Sequence, residues 1–399
     1  MLTSLLLVAA SIGFGVYLFR PSMLTSRFWR ATVTPLASIV GSGFLIAGPV
    51  LYHTVGHLAV VAMAVLCGLA YLFGSAVRDN ILHIEDAERT PLQGFVNEGA
   101  DIILAAAYFI SVAYYLNLFA AFGLRLVDVT DQTTIRIVST AAIATIGMTG
   151  AFGGLKALES LEVGTVGLKL AVIGGLLTTL AVAATMSLVS GNLEAGPMPS
   201  RGGWDEVRTI LGLLVLVQGF ETSRYLGSKY DPDTRVRTMR RAQWIATVIY
   251  ITFILLFMPY FTGSISGRGA ETAIIDMLAP LGIALTPLLV AAALASQSSA
   301  AIADTNGAGG LIAEATRGRI PVKPAYIVTA LVAIAMTWAF DIFEIITYAS
   351  RAFVTYYALQ ALLAASTNFR RSDWPRAVLY SAAFLIAVTI IIVAKPADV

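Results

Sequence analysis

Charged residues are scarce in this chain of 399 residues. Asp, Glu, Lys and Arg together make up 13% of the sequence and hydrophobic residues 57%, whereas a soluble domain carries about 25% charged residues. The apolar residues fall in runs of about 20, the length that a helix needs to cross the hydrocarbon of a bilayer. Because only short loops separate these runs, an appended enzymatic or nucleic-acid-binding domain is excluded. The sequence predicts an all-α polytopic membrane protein.

Cysteine and the common catalytic motifs are also missing. The single cysteine, Cys67, lies inside an apolar run, which excludes an intramolecular disulfide and a thiolate metal cluster. HExxH, CxxC, phosphate-loop and nucleophile-elbow patterns are absent, which argues against an intramembrane enzyme. The net charge is only +2, so no nucleic-acid partner is indicated. We expect a small-molecule substrate, a lipid environment, no metal site and no cofactor other than a coupling ion; the oligomeric state is left open.

Hydropathy predicts about twelve membrane helices. The first, within residues 1–20, lacks a basic leading region and has Arg20 where a signal peptide would be cleaved, so we interpret it as a retained, additional span. A short extra helix is also possible near residues 270–314. The predicted helices lie near residues 1–19, 33–52, 57–77, 99–124, 134–152, 159–189, 205–227, 240–264, 284–314, 324–343, 344–366 and 376–394.

The positions of the basic residues predict how the chain is oriented. With this set of helices, 17 of the 26 Lys and Arg residues fall in loops on one side, six on the other and three within spans. Cytoplasmic loops hold the excess of Lys and Arg. Both termini are therefore predicted outside the cytoplasm, in a plasma membrane such as the bacterial inner membrane.

Two predicted helices have glycine at their centres. One reads Val-Gly-Ser-Gly-Phe at residues 40–44 and the other Val-Gln-Gly-Phe-Glu at residues 217–221. Five helices separate these positions, so the second set of five is inverted relative to the first. Interrupted helices at matching positions of two inverted halves point to the binding site of a secondary transporter. The predicted units are an extra helix at 1–20, repeats at 31–190 and 204–367, and a final helix at 374–399.

Each interruption has a proposed role in binding a solute. Gly41, Ser42 and Gly43 can expose backbone N–H groups at the start of a half-helix, where the helix dipole favours a carboxylate; alternatively, the small residues only allow close helix packing. Glu221 lies mid-span, where a carboxylate can bind an ammonium group or relay a proton. The alternative for Glu221 is a structural carboxylate neutralised by protonation or by Arg224.

A second group of residues is a candidate cation or coupling site. Lys169 lies within a predicted span, where its ammonium can bond the carbonyls of an unwound helix and change protonation during a cycle; the alternative is that it extends to the interface. Ala295, Ser298 and Ser299 share one helix face and can bind Na⁺ or accept hydrogen bonds from Lys169. Alternatively, the serines bond their own helix.

Further charges in the spans suggest gates. Arg351 and Glu344 lie seven residues apart on one predicted helix face, and we favour an outer ion-pair lock over a substrate contact. Asp304 is predicted to pair with Arg224 or Lys229.

The sequence of the two interruptions resembles the amino acid-polyamine-organocation (APC) superfamily. Residues 39–49, Ile-Val-Gly-Ser-Gly-Phe-Leu-Ile-Ala-Gly-Pro, resemble its first core helix, and residues 219–222 with 225–227 resemble its sixth. The resemblance implies a LeuT-type five-plus-five inverted repeat. It implies substrate contacts at Gly41, Ser42, Gly43, Phe44, Gly219, Phe220 and Glu221. Lys169 looks like a lysine that replaces a sodium ion, with Ala295, Ser298 and Ser299 opposite the carbonyls of Ala37 and Val40.

These observations lead to one functional prediction and two alternatives. The leading prediction is a secondary active transporter of an amino acid or related amine, working by alternating access and either proton-coupled or exchanging. The first alternative is a sodium-coupled symporter of a small organic solute. The second is a membrane sensor or assembly subunit that keeps a transporter scaffold without transport. Residues 227–232 depart from the family pattern after its sixth helix, so a diverged substrate is compatible with the sequence.

Overall fold

A computed structural model describes most of the chain. It covers residues 2–41, 43–83, 90–153, 155–190, 202–226, 230–261, 265, 269–316 and 318–397, with the backbone alone for residues 2, 153 and 155–165. Within these ranges the chain is helical and contains no β-strand.

Fifteen α-helices lie within the described ranges. They are α1 (Leu2–Leu18), α2 (Pro21–Leu24), α3 (Arg27–Ile39), α4 (Phe44–Val55), α5 (Ala59–His83), α6 (Pro91–Leu124), α7 (Gln132–Gly153), α8 (Leu155–Val189), α9 (Trp204–Gly212), α10 (Pro232–Phe257), α11 (Ala273–Leu278), α12 (Leu285–Ala315), α13 (Val322–Ala339), α14 (Ile342–Arg370) and α15 (Trp374–Val393). Short 3₁₀ segments include Leu214–Val217, Phe220–Leu226 and Ala270–Thr272.

The prediction of an all-helical, polytopic membrane protein is confirmed. In the described part of the chain, eight helical stretches are long and apolar enough to cross a membrane, and a shorter apolar helix lies at Thr3–Leu18. The number twelve stays a prediction, because α4 and α5 form one continuous stretch by this measure and the pieces of the interrupted helices are too short to count.

Two predicted helix starts were about eight residues too late. The helix predicted from residue 99 begins at Pro91, and the one predicted from residue 240 begins at Pro232. Thr90 caps the first in a reciprocal capping box with Gln93, and the Asp231 carboxylate accepts a hydrogen bond from the backbone N–H of Thr234 in the second. A capping residue followed by proline starts a helix regardless of hydropathy, and hydropathy alone missed both starts.

Helices that follow the two interruptions in the same order pack against each other. Helix α5 contacts α10, α6 contacts α12, and α7 contacts α13. Helix α6 also packs against α14, while the two terminal helices lie on the outside of this set, α1 against α8 and α15 against α14. The 3₁₀ segments of the second interruption contact α3, α5, α10 and α14.

The helix interruptions occur where the glycine pattern predicts them. Helix α3 ends at Ile39 and α4 begins at Phe44. After α9 the chain continues as the 3₁₀ segment Leu214–Val217, passes through an extended Gln218 and reaches Gly219 with a φ of +117°. Ser42 lies outside the described residues.

The two interruptions touch each other at glycines. A Cβ atom added to Gly43 would lie 2.5 Å from the Cα atom of Leu216, and one added to Gly219 would lie 2.6 Å from the Cβ atom of Ser38. Backbone can approach backbone this closely only where no side chain intervenes. We call the paired segments, residues 38–41 with 43 and 214–221, the junction.

Replacing Gly219 by alanine is expected to destabilise the protein. The positive φ alone costs a non-glycine residue about 1–3 kcal/mol, and the new methyl group would overlap Ser38. The matched control is Gly68→Ala in α5, where an added Cβ meets nothing within 4 Å and alanine favours the helix. Thermal unfolding in detergent should show a lower Tm for Gly219→Ala and an unchanged or higher Tm for Gly68→Ala. Equal Tm values would contradict the close packing of the junction.

Candidate functional site

Lys169 is bound to the end of the first interrupted helix. Its side chain is fully buried, and its Nζ atom donates a hydrogen bond to the carbonyl oxygen of Ala37 at 2.5 Å. Regular helix would give this carbonyl the N–H of Gly41, which instead bonds Ser38 at 3.2 Å. The ammonium therefore donates a hydrogen bond to a carbonyl that the interruption deprives of its regular helical donor. The structure thus gives Lys169 the carbonyl contact expected of a buried ammonium; its role in coupling stays a prediction.

Ser296 on α12 is a hydrogen-bond donor to a second carbonyl of the first interruption. Its hydroxyl donates to the carbonyl oxygen of Gly41 at 2.5 Å. The sequence interpretation missed Ser296, although it chose neighbouring residues of the same helix. The two predicted serines bond their own helix, since Ser298 donates to Leu294 at 2.6 Å and Ser299 to Ser296 at 3.2 Å. The alternative for these serines thus matches their geometry, and Ala295 is buried beside them.

A small cavity lies beside Lys169 and the first interruption. Its volume is about 10 Å³, which is room for one water molecule at most. An amino acid does not fit in this cavity. The lining residues are Gly41, Phe44, Leu45, Lys169, Val172, Ile173, Leu176, Leu289, Ala292 and Ser296.

Glu221 lies at the second interruption and is fully buried. Its Oε2 atom accepts hydrogen bonds from the Gly219 N–H at 3.0 Å and from the Tyr357 hydroxyl at 2.8 Å. Its Oε1 atom has no hydrogen-bond partner among the described residues. Phe220 stacks on the Tyr357 ring with centroids 4.9 Å apart. One carboxylate oxygen is therefore held by the protein, while the other is buried without a hydrogen-bond partner among the described residues.

The charged residues after Glu221 turn toward α6. Arg224 donates to Asn97 at 2.5 Å and lies 3.7 Å from the Asp101 carboxylate. Asp304 accepts a hydrogen bond from Ser111, also on α6. Arg224, the alternative partner considered for Glu221, thus forms an ion pair with Asp101. Both Arg224 and Asp304 are brought to α6, and Lys229 lies outside the described residues.

The predicted ion pair between Arg351 and Glu344 is wrong. Glu344 belongs to the capping box that starts α14, where its carboxylate accepts the backbone N–H of Asp341 at 3.0 Å. Arg351 instead donates to the carbonyl of Ala394, beyond α15. Because the start of α14 needs an acceptor for its unpaired N–H groups, Glu344 is held locally. Arg351 ties α14 to the C-terminal segment.

Three further polar side chains of the junction have no signal in the sequence. Tyr250 contacts carbonyls of both interruptions, Ser350 accepts the N–H of Val215 at 2.8 Å, and Tyr115 accepts from the Gln218 amide at 3.1 Å. Each lies in an apolar helix where a hydroxyl residue is unremarkable by pattern. Only the packing of distant helices brings Tyr250 and Ser350 to backbone groups of the junction and Tyr115 to the side chain of Gln218.

A larger cavity lies apart from the junction, in the loops. Its volume is about 510 Å³. Burial raises the pKa of Glu271 in its wall, although a hydrogen bond from Gln132 and the charge of Arg125 partly offset that effect. The lining residues are Gln132, Arg136, Ala270, Glu271, Asp341, Ile342, Phe343, Glu344, Pro396 and Ala397.

The fold and the junction define a class of protein. Unwound backbone is tolerated at membrane depth only where protein side chains or a solute can satisfy it. Here two interrupted helices meet inside a helical membrane protein, with a buried ammonium and a buried carboxylate beside them. This arrangement is typical of a membrane transporter.

The chain belongs to the APC superfamily, since the profile of a family described as APC superfamily transporter matches residues 21–394. The matched region begins after α1 and includes both interruptions. The chain is also similar to a protein of Aquifex aeolicus (strain VF5) described as an uncharacterized protein, with 35% identity over 405 residues that cover 100% of this chain and 98% of the relative.

Ser296 and Ser298 provide a paired test of the first interruption. Ser296→Ala leaves the buried Gly41 carbonyl without its donor, which costs about 1–3 kcal/mol. Ser298→Ala removes only a bond of a serine to its own helix and should cost less than about 0.5 kcal/mol. Thermal unfolding in detergent should therefore separate the two variants. Equal losses, or a larger loss for Ser298→Ala, would be incompatible with the assigned contacts.

Proposed function

We propose that this protein is a secondary active transporter of an amino acid or related amine, coupled to protons or to exchange. The observation that supports this proposal most strongly is the hydrogen bond from the Lys169 ammonium to the Ala37 carbonyl at the first interruption. A cation in this position is part of the protein rather than an ion taken from solution.

The chemistry of the junction supports an amino acid or amine as the solute. The first N–H groups of α4, which begins at Phe44 beside Gly41 and Gly43, favour a carboxylate at the helix N-terminus. Glu221 offers its second oxygen to an ammonium group. Gly219 and Phe220 frame that carboxylate. Because backbone groups recognise what all amino acids share, this argument supports a class of solute.

Proton coupling follows from the chemistry of a buried lysine. In its charged form, Lys169 makes a charge-assisted hydrogen bond to Ala37. In its neutral form it loses the charge that strengthens that bond, so the hold on α3 weakens. A proton can thereby alter the position of α3 relative to α8, which is the kind of change that alternating access requires.

The helix pairings support a LeuT-type five-plus-five inverted repeat. The first repeat would run from α3 to α8 and the second from α9 to α14, which corresponds to residues 31–190 and 204–367. The contacts of α5 with α10, α6 with α12 and α7 with α13 join helices at equal positions in the two sets. Helices α1 and α15 would then be additions, at residues 1–20 and 374–399.

Contacts near helix ends support the proposed grouping of residues on the two sides of the membrane. Arg208 and Lys395, both proposed to lie outside, are joined by a backbone hydrogen bond of 3.1 Å. Arg376, proposed to lie inside, is 3.5 Å from Asp79, which follows Arg78 on the same side. An orientation with both termini outside the cytoplasm of a plasma membrane is consistent with these contacts.

A sodium-coupled symporter is the second candidate. The observation that favours it is the cluster of oxygen atoms at the first interruption, formed by the Ser296 hydroxyl and the Gly41 and Ala37 carbonyls. Oxygen ligands of this kind suit a hard cation. The two candidates differ in whether transport depends on Lys169 or on Na⁺.

Uptake into proteoliposomes distinguishes the candidates. Solutes would first be selected by thermal-shift screening of amino acids and amines, then tested with an imposed pH gradient or Na⁺ gradient. Lys169→Met should reduce uptake driven by the pH gradient by about ten-fold or more, because the buried charge-assisted bond is lost. Lys323→Met is the matched control, since Lys323 is exposed at the start of α13, and it should retain uptake.

Two results would overturn the leading proposal. One is strict dependence on Na⁺ with indifference to pH, which would favour the sodium symporter. The other is full retention of pH-driven uptake by Lys169→Met. Failure of every solute to bind or move would instead support a membrane sensor or assembly subunit.

A further inference from the structure

Tyr250 on α10 connects the two halves of the junction. Its side chain is fully buried. Its hydroxyl lies 2.5 Å from the carbonyl oxygen of Leu216 and 3.0 Å from that of Ile39. Leu216 belongs to the second interruption, and Ile39 is the last residue of α3 at the first. One atom from a third helix therefore contacts both interruptions.

The two carbonyls share a single proton. A tyrosine hydroxyl has one O–H to donate, so the strong hydrogen bond forms with one carbonyl at a time or is divided between the two. Ile39 is the last residue of α3 and Leu216 lies in a 3₁₀ segment, so neither carbonyl belongs to the interior of a continuous α-helix. Moving either segment away from the other would therefore leave a buried carbonyl without a donor.

Aromatic packing holds the Tyr250 ring in place. The ring meets that of Phe44, the first residue of α4, edge to face with centroids 5.9 Å apart. Phe253, one turn along α10, also packs against the Phe44 ring, with ring centroids 4.3 Å apart. The hydroxyl position is thus set by α10 and by the helix that begins after the first interruption.

A cysteine lines a small cavity beside Tyr250. A cavity of about 10 Å³ is lined by Ile39, Val217 and Tyr250 together with Cys67 on α5. Cys67 is the single cysteine of the chain and is buried. Its reactivity toward a thiol reagent therefore reports whether the junction has separated from α5 and α10.

We propose that Tyr250 is a positioning residue of the transport site. Its hydroxyl sets the spacing of the two unwound segments, so that the N–H groups after Gly43 and the carboxylate of Glu221 face one solute together. Tyr250 itself does not touch the solute. The part of this proposal that concerns a solute rests on the proposed function, whereas the part that concerns the spacing does not.

The test compares Tyr250→Phe with Tyr52→Phe. Each change removes one hydroxyl and keeps the ring. Tyr52 is also fully buried, and its hydroxyl donates to the carbonyl of Ile254 at 2.8 Å, a bond between α4 and α10 that avoids the junction. Similar decreases in Tm are expected, because each variant leaves buried carbonyl groups without a donor.

Alkylation of Cys67 by N-ethylmaleimide, measured on the full chain in detergent without any solute, separates the roles. Tyr250→Phe should be alkylated about ten times faster than the unaltered protein. The reason is that local opening of the junction no longer has to break the hydrogen bond of the Tyr250 hydroxyl. Tyr52→Phe should react at close to the unaltered rate. Equal alkylation rates in the two variants would overturn the proposal, whatever their Tm values.

A second measurement uses the amino acid or amine selected by thermal shift. The concentration for half-maximal stabilisation should rise several-fold in Tyr250→Phe and stay unchanged in Tyr52→Phe. Faster alkylation of Tyr250→Phe with unchanged half-saturation would contradict a role in positioning the solute site. If no solute is found, the proposed function fails, and the alkylation comparison still decides whether Tyr250 sets the spacing.

Discussion

The structure depends on one constraint: backbone groups freed inside a membrane must find partners within the protein. Each interruption frees several such groups, and side chains from four surrounding helices reach them. Lys169, Ser296 and Tyr250 donate to carbonyls of Ala37, Gly41, Ile39 and Leu216. At the second interruption, Ser350 and Glu221 accept backbone N–H groups of Val215 and Gly219. These five polar side chains are therefore arranged around two short segments.

This arrangement relates the fold to movement. The glycines at 43 and 219 bring the two interruptions into direct contact, and the cavities beside them hold at most a water molecule. In the proposed transport cycle, opening toward either side of the membrane would break some of these contacts and replace them with contacts to water or solute. Lys169 and Tyr250 belong to α8 and α10, which lie outside the interrupted helices. A solute that satisfies the freed groups would thus compete with the protein's own side chains.

The sequence predicted the interruptions better than their surroundings. Glycines at 41, 43 and 219, and a lysine at 169 within an apolar run, are local signals of a strained or costly feature, and each lies at the junction. Ser296 and Tyr250 could not be chosen in the same way, because their partners come from helices far away in sequence. The rotation of α12 about its axis places Ser296, rather than its neighbours Ser298 and Ser299, in contact with the first interruption. Arg351 failed as an ion-pair residue because a helix cap already used Glu344.

In the proposed transporter, both interruptions bind the solute together. Amide hydrogen exchange of the full chain, measured by mass spectrometry with and without a stabilising amino acid or amine, can test this. We expect the solute to slow exchange in the peptides covering residues 36–47 and 214–226 together, by similar factors. Slower exchange in only one of these peptides, or only in peptides remote from both, would contradict it.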